Sequence, residues 1–104
     1  MDNPEENNLS LKNLKLNILA RKFFISEKLI KLRNKEFCLM EYFMKNFGKV
    51  LSRTQLLEAV WDRNICCATN TVDVHVSGLR KKLRFFTGLN LIKTVHCIGY
   101  IFEF

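Results

Sequence analysis

Residues 71–83 read TVDVHVSGLRKKL, and the spacing of their apolar side chains decides the fold. Val72, Val76, Leu79 and Leu83 recur at i, i+4, i+7 and i+11, the repeat of one face of a helix. Asp73, Ser77, Arg80, Lys81 and Arg84 lie off that stripe, so the segment predicts an amphipathic helix with a basic outer surface. Thr69, Asn70 and Thr71 can each cap its start, and Asp73 in the first turn complements the positive end of the helix dipole. Gly88 closes the region.

Upstream, Ser52 and Gln55 have the three-residue separation of a capping box, in which each side chain satisfies a free backbone donor of the other. They open a second helix with Leu56, Leu57, Val60 and Trp61 on one face, expected to stop near Asp62 before a connector at 63–69. Before it, Phe37, Met40, Met44 and Phe47 keep a helical period, with Glu41 and Lys45 paired off the stripe, predicting a first helix from about Lys35 to Phe47 that Gly48 ends. From Leu9 to Leu32 the period drops to two. The separators Lys12-Asn13, Ala20-Arg21 and Ser26-Glu27 are too short for helices, so three or four short strands should pair as an antiparallel meander. Two apolar runs, 91–95 and 98–104, flank His96-Cys97 and predict a terminal hairpin. The expected fold class is α+β: an N-terminal antiparallel sheet, three helices and a C-terminal β-hairpin wing, the outline of a winged helix-turn-helix.

Composition agrees with a single folded unit. The chain has 104 residues, 48% of them hydrophobic and 26% charged, too apolar for intrinsic disorder. Residues 1–8 (MDNPEENN) read as a flexible lead-in or linker remnant, and 9–104 as the domain. The net charge of +7 is unevenly placed: eight bases against Glu27 over 11–35, and five bases with no acid over 75–98. Such blocks attract polyanions, which makes nucleic acid the first partner to consider. No apolar run approaches a membrane span. Without a secretory pattern the four cysteines are expected to be reduced, in a cytoplasmic protein. Cys66, Cys67 and Cys97 with His75 and His96 lack metal-ligand spacing, so no metal and no cofactor is expected. His75 is expected to be a packed structural residue, and Cys38 a small core residue. With no phosphate loop, nucleophile elbow or clustered carboxylates, the sequence offers no enzyme site.

GKVLSRTQLLEAVW (48–61), TVDVHVSGLRKKL (71–83) and KTVHCIGY (93–100) together resemble the OmpR/PhoB-type winged-helix DNA-binding domain, the effector module of bacterial two-component response regulators. The likeness spans about Leu14 to Phe104. It implies a sequence-specific transcription regulator whose third helix enters the major groove while the wing meets the adjacent minor groove. Base-reading positions then fall on Ser77, Gly78 and Arg80, with the Arg80 guanidinium suited to two acceptors on a guanine edge. Lys81, Lys82 and Arg84 would neutralise phosphates, and Trp61 and Thr94 match positions whose polar hydrogens touch the DNA backbone. The resemblance also implies promoter DNA as partner, a second copy on direct-repeat sites, RNA polymerase as a possible contact, and a phosphorylated receiver domain outside these residues.

The departures carry their own expectations. Asn70 replaces the usual Arg before T-V-D-V, turning a DNA contact into a cap. Arg33 replaces the Thr that caps the first helix, leaving that cap to Asn34 or to nothing. In the wing, His96-Cys97-Ile98-Gly99-Tyr100 stands for R-G-x-G-Y and Ile101 for the Arg after it. A histidine titrates near pH 6.5 where an arginine stays charged, so the wing contact of His96 should be weaker or pH-sensitive. Gly78 reads as drift at an exposed position, or as room for close approach to the groove. The alternative function is a protein-binding winged helix that contacts polymerase or another regulator without specific DNA reading.

Overall fold

The computed structural model describes residues 8–61 and 70–104. β1 (Asn8–Leu11), β2 (Leu14–Asn17), β3 (Lys22–Ile25) and β4 (Lys28–Ile30) form an antiparallel sheet in sequence order, followed by α1 (Asn34–Lys45), β5 (Val50–Ser52), α2 (Arg53–Val60), α3 (Asn70–Thr87), β6 (Ile92–Val95) and β7 (Gly99–Phe102). The fold class is the one expected. Asn8 pairs with Asn17 in β1; the rest of the lead-in and the connector with Cys66, Cys67 and Thr69 lie outside the described residues.

The strand turns fall at the separators read from the sequence. Between β3 and β4, Ser26 and Glu27 both have positive φ (51° and 67°), the tight hairpin whose twist matches the strands it joins. Leu14, Leu16, Phe23, Ile25 and Ile30 turn to the buried face. α1 packs against β1, α2, α3 and β7, putting Phe37, Leu39, Met40, Phe43 and Met44 at the centre of the core. It begins one residue earlier than expected and ends at Lys45, leaving Phe47 outside the helix with its ring edge-on to Phe102 at 5.6 Å.

Helix α2 starts at the capping box. Ser52 Oγ accepts from Gln55 N at 3.0 Å and Gln55 Oε1 from Ser52 N at 2.8 Å. β5, just before it, is an element the sequence did not suggest. It pairs with β7, so the second strand of the hairpin is the central one of a three-stranded sheet ordered β5-β7-β6. Gly99 makes that sheet possible: a Cβ there would collide with the Leu51 carbonyl oxygen and lie 2.9 Å from Ser52 Cα.

At the wing tip Ile98 N bonds Val95 O at 3.0 Å, and Cys97 sits at φ 62°. This is the left-handed region, and the resembled pattern has Gly at that place. A non-glycine residue pays about 1–2 kcal/mol there, partly offset because glycine has more freedom to lose on folding. Cys97→Gly should therefore stabilise the domain by about 0.5–1 kcal/mol, a rise of a few degrees in Tm by thermal melting; a lower Tm would contradict the strain.

Candidate nucleic-acid interface

Val72, Val76, Leu79 and Leu83 are all 0–1% exposed, and this settles the orientation of α3. Val74, Ser77, Lys81, Arg84 and Phe85 are exposed on the opposite face. The two flanks between these faces each carry a polar anchor.

On the wing flank, Asp73 Oδ1 accepts from Arg53 Nε at 2.9 Å and from the Tyr100 hydroxyl at 2.5 Å. One carboxylate thereby joins the start of α2, the start of α3 and strand β7. Burial raises the Tyr100 phenol above its ordinary value, and the hydrogen bond to Asp73 and that residue's negative charge add to the rise. The hydrogen bond and charge of Asp73 likewise raise the Arg53 guanidinium. Further along this flank Arg80 lies in the seam between α3 and the wing, its Nη2 donating to Thr94 Oγ1 at 3.0 Å and its guanidinium 5.4 Å from the Tyr100 ring centre. Its Nε is buried without a partner. The seam thus holds Arg80 half-buried, less open than its place off the aliphatic stripe suggests.

On the other flank α3 meets α1. Arg33 occupies the N-cap of α1, but a guanidinium offers no acceptor, so only half of a capping box forms: Glu36 Oε1 accepts from Arg33 N at 2.9 Å. Glu36 is 4% exposed, and the same oxygen accepts from Lys82 Nζ at 2.5 Å. Lys82, expected at a phosphate, is instead held by a buried carboxylate. Gly78 faces the same group: a Cβ would come 2.7 Å from Glu36 Oε2. Its exposure was misjudged, because the close approach it permits is to α1.

The remaining candidates fall into four places. Ser77, Lys81 and Arg84 share the outward face, where the Lys81 ammonium has no partner among the described residues and Arg84 Nη2 reaches Asn90 Oδ1 at 3.5 Å. Thr94 and His96 are exposed on the wing, and Asn70 is exposed as the first residue of α3. Trp61 is 8% exposed within the core, its ring edge-on to His75 at 5.2 Å. His75 is packed as expected: its Nδ1 lies 2.9 Å from Thr71 O, and because a carbonyl only accepts, that nitrogen carries the proton. Cys38 is half-buried, its sulfur 3.8 Å from Arg21 Nη2. The anchoring roles of Asp73 and Glu36 do not show in the local sequence pattern, since the side chains they bind are 20 to 46 residues away.

Residues 26–102 match the family model described as "Transcriptional regulatory protein, C terminal". The chain belongs to this family. It is 39% identical over 97 residues to the transcriptional regulatory protein DltR of Streptococcus agalactiae, covering 93% of this chain and 43% of DltR. It is 37% identical over 98 residues to CusR of Escherichia coli, again covering 43% of the relative. The chain thus spans less than half the length of these curated relatives. Among solved structures, the DNA-binding domain of response regulator AdeR in complex with an intercistronic region has a TM-score of 0.84 at 26% identity, covering 90% of this chain and 97% of that one. The Klebsiella pneumoniae RstA DNA-binding domain in complex with the RstA box has a TM-score of 0.74 at 26% identity, covering 92% and 96%.

In this member of the family, the Asp73 junction has a measurable signature. Raising the folded pKa of Tyr100 makes its contribution to stability complete below the unfolded value of about 10 and lost as pH rises through the folded value. In a Tyr42→Phe background, absorbance titration should show Tyr100 ionising above about 10, and Asp73→Asn should bring it down. Ionisation at or below the ordinary value in the folded domain would contradict the junction.

Proposed function

We propose that this domain binds duplex DNA as the effector part of a bacterial response regulator, with the outward face of α3 in the major groove. The single observation that carries the reading is the segregation on α3: its aliphatic stripe is sealed in the core while Ser77, Lys81 and Arg84 are exposed on the far side. A helix of about 10–12 Å diameter fits a groove about 12 Å wide. Ser77 offers a hydroxyl for base edges, and Lys81 and Arg84 offer charge for phosphates. Arg80 and Thr94, already joined, lie where helix and wing meet, and His96 lies at the wing turn that would face the adjacent minor groove. The DNA-bound neighbours AdeR and RstA support the reading.

The wider assignments follow from the family. The regulator would act on promoter DNA in the cytoplasm, with a receiver domain outside these residues controlling paired binding to direct repeats, and RNA polymerase as a further contact. No helix among the described residues is long and apolar enough to cross a membrane.

The test compares a duplex selected from a randomised pool with its scrambled counterpart at one salt concentration. Specific reading predicts a preference of at least about a thousandfold. Affinity for the selected duplex should also rise as pH falls from about 8 to 5.5 in the wild type, and much less in His96→Ala. Equal affinity for both duplexes would overturn the reading in favour of a protein-binding winged helix. Identical pH profiles would remove the wing role of His96 alone.

A further inference from the structure

Arg33 is useless as a helix cap, yet its side chain borders a cleft of about 320 Å³ between the start of α1 and the middle of α3. Gly78 and Glu36 form part of its lining, and Arg33, Lys81 and Lys82 bring three cations against one carboxylate. Lys82 is held by Glu36 at 2.5 Å. The Arg33 guanidinium and the Lys81 ammonium have no partner among the described residues. The space depends on Gly78, since a Cβ there would press on Glu36 Oε2. A positively charged cleft at the margin of the outward face of α3 is suited to one negatively charged, oxygen-rich group.

Its place on the helix says which group. At 3.6 residues per turn, Gly78 and Lys82 lie on the flank that meets α1, Asp73 and Arg80 on the flank that meets the wing, and Ser77 and Lys81 between them. A helix that nearly fills the major groove has one phosphodiester strand against each flank. The wing flank is supplied by Arg80 and Thr94. We propose that the cleft on the opposite flank binds a backbone phosphate of the other DNA strand, neutralised by Arg33 and Lys81. The proposal rests on the DNA-binding reading above and adds to it a second anchorage. The Arg that stands in place of a capping Thr then gives up a local hydrogen bond for charge at the groove edge.

The salt dependence of binding tests this. Arg33→Gln keeps the backbone N–H that Glu36 accepts, so the variant should fold with an unchanged Tm. Each lost phosphate contact makes the slope of log K against log salt shallower by about 0.9. Arg33→Gln should show that change on the selected duplex while keeping the wild-type ratio of selected to scrambled affinity. Lys15→Gln, on an exposed position of β2, should leave the slope unaltered. A wild-type slope in Arg33→Gln, with the wild type still preferring the selected duplex, would overturn the cleft and leave the DNA reading standing. A wild type without that preference would overturn both.

Discussion

The burial of one aliphatic stripe on α3 is the constraint from which the rest follows. Val72, Val76, Leu79 and Leu83 are withdrawn from water, each with a stabilisation of about 1.5–3 kcal/mol. No single polar contact on the helix compares with their sum. Turning α3 about its axis would carry part of this stripe into water, so the residues opposite are held facing solvent. The outward presentation of Ser77, Lys81 and Arg84 is thus a consequence of packing in the core, and it needs no contact of their own.

The flanks refine what the stripe sets. Glu36 ties α3 to the first turn of α1 through Lys82, and Asp73 ties it to α2 and the wing through Arg53 and Tyr100. Glu36 is the more consequential of the two, because a carboxylate at 4% exposure must be satisfied, whereas Asp73 and Arg53 are more than a third exposed and screened by solvent. Arg80 shows the cost of this design: holding its guanidinium at Thr94 leaves Nε without a partner.

Elements with a clear period were legible in the sequence. The meander with its three separators, α1, α2 and the stripe of α3 all follow from apolar spacing and capping residues. β5 was not legible, because its three residues make a strand only when β7 arrives from about fifty residues further on. The polar anchors were hidden for the same reason. Asp73 looks like a residue answering the helix dipole, and Gly78 like tolerated drift, until Tyr100 and Glu36 are brought beside them. Arg33 was noticed only as a missing cap, since a local pattern records the lost hydrogen bond and not the cleft that the side chain borders.

Backbone amide chemical-shift mapping of the labelled domain during titration with a selected duplex addresses the central claim most directly. The account predicts the largest changes over residues 74–84 and 93–99, with the amides of β1 to β4 nearly still. Changes concentrated on the N-terminal sheet, with α3 undisturbed, would contradict it.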